Sequence, residues 1–395
     1  MKLSEPHTGK AAPSLDLKRQ YESIREEVLA AIERVCSSQG FILGAEVEAL
    51  ENEIAAFVGA KHAVGCASGT DALWLALLSA GVKPGDEVIT TPLTFFATGS
   101  AIVRAGAEPV FVDVDPETLN LDPEKVRQAV VKGETTGVGA RRDANLKTIL
   151  PVHLYGQCAD MTALQQIADK HGLTLIEDAA QAIGAKWNDR NAGSMGVSAG
   201  FSFYPSKNLG AFGDAGIVTT NDCAIADHMR RLRNHGSPER YLHTEFGWNA
   251  RMDGIQATVL RVKLKHVAEW NQRRRERAQT YDNLLKNSRL DSGRNAPLRI
   301  VSRSPEAVHV FHQYVVRVQR RDELRKALAE RGIGSEVYYP IPLHLQPAFA
   351  YLGYKEGDIP EAEHASKDVI ALPIFPELTQ EEQERVVAGI AEFYS

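Results

Sequence analysis

The stretch TILPVHLYGQCADMTALQQIADKHGLTLIEDAA, residues 148–180, decides the fold class. It begins and ends with short apolar runs, and "MTALQQIADKHG" between them has the apolar spacing of an amphipathic helix that ends at glycine. Nearly continuous Ile, Leu and Val in the two outer runs are typical of strands that are buried on both faces. The stretch therefore predicts a strand–helix–strand unit in a parallel sheet that is covered by helices.

The same alternation continues on both sides of this unit. "VEALENEIAAFVG" and "TDALWLALLSAG" have helix patterns, "HAVGCAS", "DEVITTPLTF" and "AEPVFVDVD" have strand patterns, and mixed strands are expected near "FSFYPSK" and "AGIVTTN". We predict an N-terminal arm and a large α/β domain over residues 1–250, with a mostly parallel mixed sheet between helices. A long helical pattern from "MDGIQATVLRV" onward, a strand pattern in "HVFHQYVVRV" and a helix in "DELRKALAERG" predict a linking helix and a smaller α+β domain over residues 251–395.

Composition narrows the class of protein. The 395 residues are 44% hydrophobic and 24% charged, as is ordinary for a globular chain, and the net charge of −6 argues against a general nucleic-acid or membrane-surface binder. The start of the chain lacks the apolar core of a signal peptide, and no apolar run is long enough to span a membrane. The scattered cysteines suggest neither a disulfide framework nor a metal site, so a cytoplasmic location is predicted. They are Cys36, Cys66, Cys158 and Cys223.

Two groups of polar residues fall at predicted strand ends, where open α/β sheets bind their ligands. Ser68, Gly69 and Thr70 come directly before a helix, so hydroxyls and free backbone N–H groups there form an anion site. Taken alone, an ordinary helix cap explains these residues better. Asp178 ends an apolar strand, with Gln181 three residues on, and a carboxylate there needs either a backbone partner or a protonated ring nitrogen.

Two further features carry ring and amine chemistry. Phe95, just after a strand, either stacks on a flat ring or belongs to the core. Lys207, in "FSFYPSKNLGAFGDAG", has no acidic residue within five positions and stands between aromatic and glycine-rich runs. A surface loop is one reading; the other is a lysine whose pKa is lowered by burial so that it can react. With Ser202 as a phosphate ligand, these features together match the needs of pyridoxal 5′-phosphate (PLP).

At this point the order of "GCASGTDAL", "TFFAT", "EDAAQAIGA", "FSFYPSKNLGAFGDAG" and "GWNARMDGIQATVL" resembles the DegT/StrS class of nucleotide-sugar aminotransferases, which have the aspartate-aminotransferase-like fold type I. The resemblance covers nearly the whole chain. It implies that Lys207 is the Schiff-base lysine and the acid/base, that Asp178 pairs with the pyridine nitrogen, and that Gln181 lies near the 3′-oxygen. It also implies that Phe95 stacks on the ring. The phosphate ligands would be Ser68, Gly69, Thr70 and Ser202.

The resemblance further implies a homodimer with shared active sites. Asn249 would reach the phosphate from the second subunit, and Arg251 would bind sugar or glutamate from that same chain. L-Glutamate would give its nitrogen to the cofactor, forming pyridoxamine 5′-phosphate, and a keto sugar on a nucleoside diphosphate would receive it. Relatives that dehydrate sugars have histidine in place of the lysine, so Lys207 favours transamination.

Residues for the substrate are expected in "EVYYPIPLHLQP", where Tyr338 and Tyr339 offer hydroxyls and His344 would meet the pyrophosphate. A proline-stiffened turn that packs its aromatic rings is the competing reading. The resemblance favours a dTDP-3-keto-6-deoxyhexose; a 4-keto or UDP-linked sugar, an amino-cyclitol, or a non-catalytic regulatory protein are the alternatives. Three further histidines are weak candidates, because a lone histidine on a strand more often belongs to the core. They are His153, His309 and His312.

Overall fold

The computed structural model describes residues 11–131, 145–291 and 296–395. Its helices are α1 (Leu17–Ser38), α2 (Ala45–Val58), α3 (Gly69–Ser79), α4 (Phe96–Arg104), α5 (Pro123–Val131), α6 (Met161–His171), α7 (Cys223–Leu232), α8 (Gly254–Ser288), α9 (Arg321–Glu330), α10 (Pro360–Asp368) and α11 (Gln380–Tyr394). Its strands are β1 (His62–Cys66), β2 (Asp86–Thr90), β3 (Glu108–Phe111), β4 (Asn145–Ile149), β5 (Thr174–Asp178), β6 (Lys186–Trp187), β7 (Arg190–Asn191), β8 (Ser198–Ser202), β9 (Gly216–Thr220), β10 (Leu298–Ile300), β11 (Ala307–Val308), β12 (Tyr314–Val318) and β13 (Val369–Leu372). The predicted strand–helix–strand unit is present as β4, α6 and β5.

Seven strands form the large sheet, in the order β1-β9-β8-β5-β4-β2-β3. The strands from β8 to β3 in this order are parallel, whereas β9 is antiparallel to both of its neighbours. The predicted mostly parallel mixed sheet is therefore confirmed. Because β1 and β8 are both antiparallel to β9, they run in the same direction, and the carboxyl ends of β1, β2, β5 and β8 lie along one edge.

Helix α3 brings its N-terminus to that edge. Residues 72–77 are all buried, because the helix packs against β8 and β9 and also against α4. A helix that is apolar on every side belongs inside the core, which holds it in one position. A Cβ atom built on Gly69 would lie 2.5 Å from the Cβ of Ser202, so the helix begins directly against the end of β8.

A smaller antiparallel sheet, in the order β10-β12-β13, forms a second core with α9, α11 and the end of α8. The predicted smaller α+β unit is thereby confirmed. The N-terminal residues contact this unit: Ala12 forms a parallel bridge with Ile333, and Arg19 pairs with Glu382 at 2.6 Å. The division between domains at residues 250 and 251 stays a prediction.

The strand expected over "HVFHQYVVRV" is shorter than predicted, because β12 begins only at Tyr314. Phe311 has a φ of +46°, which an extended strand does not allow, and its N–H donates to the His309 ring at 2.8 Å. Residues 309–313 instead form an irregular segment beside α8. Within the described ranges, no helix is long and apolar enough to cross a membrane.

Candidate active site

A cavity of about 520 Å³ lies at the sheet edge where β1, β2, β5 and β8 end. Its volume is in the usual range for cofactor and small-molecule sites. Ten of the thirteen residues proposed from the sequence line it, namely Ser68, Gly69, Thr70, Phe95, Asp178, Gln181, Ser202, Lys207, Tyr338 and Tyr339. The other three are not among its lining residues.

The N-terminus of α3 forms one wall of the cavity. The Ser68 hydroxyl caps the helix by accepting the Asp71 N–H at 3.1 Å, and the first free N–H groups belong to Gly69 and Thr70. Ser202 stands so close that only glycine fits at position 69. These N–H groups and hydroxyls form a cup for an anion.

One acidic side chain near this cup is neutralised. Asp71 pairs with Arg104 at 2.6 Å, and the Arg104 guanidinium lies 3.8 Å from the centre of the Trp74 ring. The ring holds the arginine beside the carboxylate through a cation–π contact. The negative charge of Asp71 therefore does not oppose a phosphate at the helix N-terminus.

Asp178 lines the cavity at the end of β5. Its carboxylate accepts the Thr98 hydroxyl at 2.7 Å and the Ala180 N–H at 3.2 Å. Burial raises the pKa of this carboxyl, and the two hydrogen bonds and the charge of Lys207 act against that rise. A further cationic or N–H partner in the cavity would favour the ionised form.

Lys207 lies in the turn between β8 and β9, where its N–H donates to the Tyr204 carbonyl at 2.8 Å. Its amine has no hydrogen-bond partner among the described residues. Burial lowers the pKa of Lys207 to about 8, although the charge of Asp178 acts in the opposite direction. At pH 7 roughly a tenth of such amines are neutral, against fewer than about one in a thousand for an ordinary lysine. Lys207 is therefore suited to act as a nucleophile and proton carrier.

Phe95 is 58% exposed, so its assignment to the core does not hold. Its ring centre lies 6.1 Å from that of Tyr339, and the two rings are tilted by 41°. Both line the cavity, which therefore has aromatic surface available to a flat ring.

Gln181 holds the segment that carries the two tyrosines. It accepts the Tyr155 N–H at 2.6 Å, and its own amide donates to the Tyr339 hydroxyl at 3.1 Å. The Tyr155 hydroxyl in turn donates to the carbonyl of Tyr338. The tyrosines thus pack in a turn and line the cavity at the same time, which combines the two readings of the sequence.

Asn249 and Arg251 lie outside the cavity of their own chain. Arg251 donates to the side-chain oxygens of Asn249 at 3.1 Å and Asn234 at 3.2 Å, and Asn249 is exposed. Their expected contacts with a partner's site stay predictions.

The structure does not bring His344 to the cavity. Its ring is buried with Nε2 3.1 Å from Glu363, whose carboxylate also accepts the Gly357 and Ile359 N–H groups. Burial lowers the pKa of His344, so the ring is neutral at pH 7. In this chain His344 therefore ties the turn at residues 343–345 to α10 and does not line the cavity, where the pyrophosphate contact was expected.

The three other histidine candidates differ in their position relative to the cavity. His153 is buried in the core, with one ring nitrogen 3.0 Å from Glu177 and the other accepting the Ala159 N–H at 3.2 Å. His309 stacks on Phe311 with ring centres 3.9 Å apart, outside the cavity. Only His312 lines it.

Sequence reasoning missed Thr98, which is the hydroxyl partner of Asp178. The Thr94 and Thr98 hydroxyls lie 2.9 Å apart, and their spacing of four residues at a helix start was the available signal. Two further lining residues, Asp214 and Gln313, had no signal in the sequence.

These residues fit PLP. The anion cup would hold the phosphate, Asp178 the ring nitrogen and Lys207 the aldehyde, while Phe95 offers a face to the ring. A Cβ atom on Gly216 would lie 2.2 Å from the Ser68 carbonyl oxygen, so glycine at this position lets β9 approach the cup.

A sequence profile of the DegT/DnrJ/EryC1/StrS aminotransferase family matches residues 22–391. The chain belongs to this family. The resemblance found in the sequence is confirmed, and with it the expectation of an aminotransferase.

Two relatives match this chain nearly end to end. The pleiotropic regulatory protein of Geobacillus stearothermophilus is 51% identical over 97% of this chain and 98% of its own length. The dTDP-3-amino-3,4,6-trideoxy-α-D-glucose transaminase of Streptomyces venezuelae is 43% identical over 96% of each chain.

A solved structure of S. venezuelae DesV in complex with a ketimine intermediate is similar throughout. It is 42% identical, has a TM-score of 0.90, and the match covers 98% of this chain and 99% of that one. The predicted fold type I architecture is confirmed.

Proposed function

We propose that this protein is a PLP-dependent aminotransferase that moves an amino group from L-glutamate to a keto sugar carried on a nucleoside diphosphate. The observation that carries the proposal is a single cavity in which Lys207, with a pKa of about 8, and the buried Asp178 lie beside an anion cup. Family membership supports amino transfer, and the name of the S. venezuelae relative supports a nucleotide-linked sugar.

Each cavity residue then has a defined task. When bound, PLP draws electrons from the substrate carbon next to nitrogen, which makes proton removal from that carbon feasible. Asp178 would keep the ring nitrogen protonated, and Phe95 would cover one face of the ring. Lys207 would bind the aldehyde covalently and, once released, take and return the proton. The phosphate would be held by Ser68, Gly69, Thr70 and Ser202.

On the substrate side, Tyr338 and Tyr339 supply two hydroxyls at the cavity wall. We favour a dTDP-3-keto-6-deoxyhexose as the acceptor, giving an amino sugar and 2-oxoglutarate, because the S. venezuelae relative is named for a dTDP-3-amino sugar. A 4-keto sugar, a UDP-linked sugar or an amino-cyclitol would use the same chemistry.

A homodimer is part of the proposal. The segment between α7 and α8 exposes 83% of Tyr241 and 94% of Phe246 to solvent in the single chain. Large apolar side chains exposed to this extent are typical of a surface that a partner covers. Asn249 and Arg251 lie at the end of the same segment, so a second copy would bring them to the neighbouring cavity.

A second candidate function is regulation, because the relative at 51% identity is named a pleiotropic regulatory protein. A protein that only binds PLP would need the anion cup, but not a free lysine of low pKa. The presence of Lys207 in the cavity therefore favours the enzyme.

The absorption spectrum of the PLP-loaded protein tests these alternatives. A yellow band that L-glutamate bleaches, and that a dTDP-3-keto sugar then restores, is the expected result for an aminotransferase. A protein that stays colourless after addition of PLP would rule out the enzyme. A band that persists in glutamate would keep the cofactor and point to another donor or to regulation.

A further inference from the structure

His312 is a buried histidine in the cavity wall that the proposed mechanism does not use. It is 9% exposed and shares the cavity with Lys207, its neighbour in space but not in sequence. Its Nδ1 atom lies 3.2 Å from the Oδ1 atom of Asn208. The state of the imidazole ring therefore depends on how the Asn208 amide is oriented.

The surroundings fix that orientation. The Nδ2 group of Asn208 donates to the Asn271 Oδ1 atom at 2.8 Å and to the Val310 carbonyl at 3.0 Å. Asn271 is fixed in turn, because its own Nδ2 donates to the Ile183 carbonyl at 2.9 Å. Asn208 thus presents an oxygen to His312, and an oxygen only accepts. The Nδ1 atom of His312 must therefore carry the hydrogen.

The other ring nitrogen, Nε2, is then an acceptor. Burial and the nearby charges of Lys207 and Arg274 lower the pKa of His312 well below its usual value, so the ring stays neutral at pH 7. Nε2 has no hydrogen-bond partner among residues 11–131, 145–291 and 296–395, and it is not one of the fully enclosed polar atoms without a partner. A fixed, unprotonated nitrogen is therefore open to the cavity.

We propose that the Nε2 atom of His312 accepts a hydrogen bond from a hydroxyl group of the sugar substrate. The inference rests on the proposed function. Keto and phosphate oxygens are acceptors, which an unprotonated nitrogen repels, so on the sugar ring of the substrate the hydroxyls are the groups that match it. His312 thereby selects a sugar that presents a hydroxyl at this position and helps to orient it toward Lys207.

The test compares His312→Leu with His309→Asn, a control in the same segment but outside the cavity, whose side-chain oxygen can still accept the Phe311 N–H. Each PLP-loaded protein is titrated with dTDP-3-amino-3,6-dideoxy-α-D-glucose, with its analogue that lacks the C4 hydroxyl, and with a UDP-linked 3-amino sugar, and the visible spectrum reports binding. We expect His312→Leu to weaken binding of the best-bound sugar about tenfold, while the bleaching rate with L-glutamate stays within twofold. His309→Asn should leave both unchanged.

His312→Gln separates this role from a loss of folding, because its amide can donate to Asn208 and still offer an oxygen to the cavity. Partial recovery of sugar binding is expected in this variant. Unchanged sugar affinity in His312→Leu, or an equal loss with sugar and with glutamate, would overturn the inference. If the unmodified protein responds to neither glutamate nor any of the sugars, the proposed function itself fails, and the inference fails with it.

Discussion

The half-buried Lys207 and the buried Lys263 have the same lowered pKa, but only Lys207 is placed to react. Burial lowers the pKa of both Lys207 and Lys263 to about 8. The Lys263 amine is committed to the Gly210 carbonyl at 2.7 Å, whereas the Lys207 amine faces the cavity without a partner among the described residues. Reactivity therefore follows from the surroundings of the amine and not from its pKa alone.

Borohydride reduction of the PLP-loaded protein should accordingly label Lys207 and leave Lys263 unlabelled, as peptide mass spectrometry would show. Lys207→Ala should lose the label and lower turnover by about a thousandfold or more, since it removes both nucleophile and proton carrier. Label on Lys263, or turnover retained by Lys207→Ala, would contradict this assignment.

The capture of PLP by the apoprotein should depend on pH in a defined direction. Only the neutral amine attacks, so the capture rate should rise with pH with a midpoint near 8, the pKa of Lys207. The charge of Asp178 raises that pKa, so Asp178→Asn should move the midpoint to lower pH. Stopped-flow absorbance between pH 6 and about pH 10 measures both. A midpoint that shifts upward in the variant would show that Asp178 acts on the lysine in another way.

At the residue scale, local sequence could identify Lys207 and Asp178, because the pattern of their immediate neighbours predicts a turn and a strand end. It could not find Thr98 as the partner of Asp178, since these residues are 80 positions apart. His344 was predicted to contact substrate for the same reason. Its partner Glu363 lies on α10, and no local pattern shows how that helix packs.

At the scale of elements, the contact between α3 and β8 shapes the anion cup. A methyl group at Gly69 would lie 2.5 Å from the Ser202 Cβ, so Gly69→Ala must push the strand end away from the helix N-terminus. We expect PLP affinity to fall by about a hundredfold and stability by about 1–3 kcal/mol. Gly40→Ala is the control, because a Cβ there meets only the Ser38 hydroxyl at 3.4 Å. Fluorescence titration and thermal unfolding measure the two effects, and equal affinities for PLP in both variants would contradict the prediction.

Helix α8 contains a buried lysine, Lys263, whose hydrogen bond to Gly210 holds a loop in place at a cost in folding stability. Lys263 is 4% exposed and has no acidic side chain within ion-pair distance among the described residues; its amine lies 4.9 Å from the centre of the Phe212 ring. In the unfolded chain the Lys263 amine keeps its proton up to about pH 10.4, whereas in the folded chain it releases the proton near pH 8. Between these values the unfolded state binds more protons, so folding stability rises with pH, by on the order of 3 kcal/mol for Lys263.

Lys263→Met removes this buried charge, so the variant should lack the part of the rise in folding stability with pH that is due to Lys263. At pH 7 we expect the apoprotein of the variant to be more stable by about 1–2 kcal/mol, since relief of the buried charge exceeds the lost hydrogen bond. The advantage should shrink between pH 8 and pH 10, as denaturant unfolding would show. Lys61→Met, at an exposed position, should leave the pH dependence unchanged. A constant difference across the pH range would contradict the assignment.

For the whole molecule, alternating apolar patterns were enough to predict the mixed sheet and the smaller α+β unit, because strands buried on both faces have a distinctive composition. They could not show that Ala12 joins Ile333 or that Arg19 pairs with Glu382. Such contacts between the two ends of the chain depend on packing geometry, which local periodicity does not contain.

Mixing two inactive variants tests whether active sites are shared in a dimer. In a mixed dimer of Lys207→Ala and Arg251→Ala subunits, one site keeps its own Lys207 and receives an intact Arg251 from the partner chain. Random reassociation makes about half of the dimers mixed, each with one complete site of two, so about a quarter of the unmodified activity should return. Lys207→Ala mixed with Asp178→Ala is the control and should stay inactive, because both residues line the cavity of one chain. No recovery in the first mixture would contradict the assignment of Arg251 to the partner's site. Recovery in the second mixture would show instead that Lys207 and Asp178 do not serve the same site.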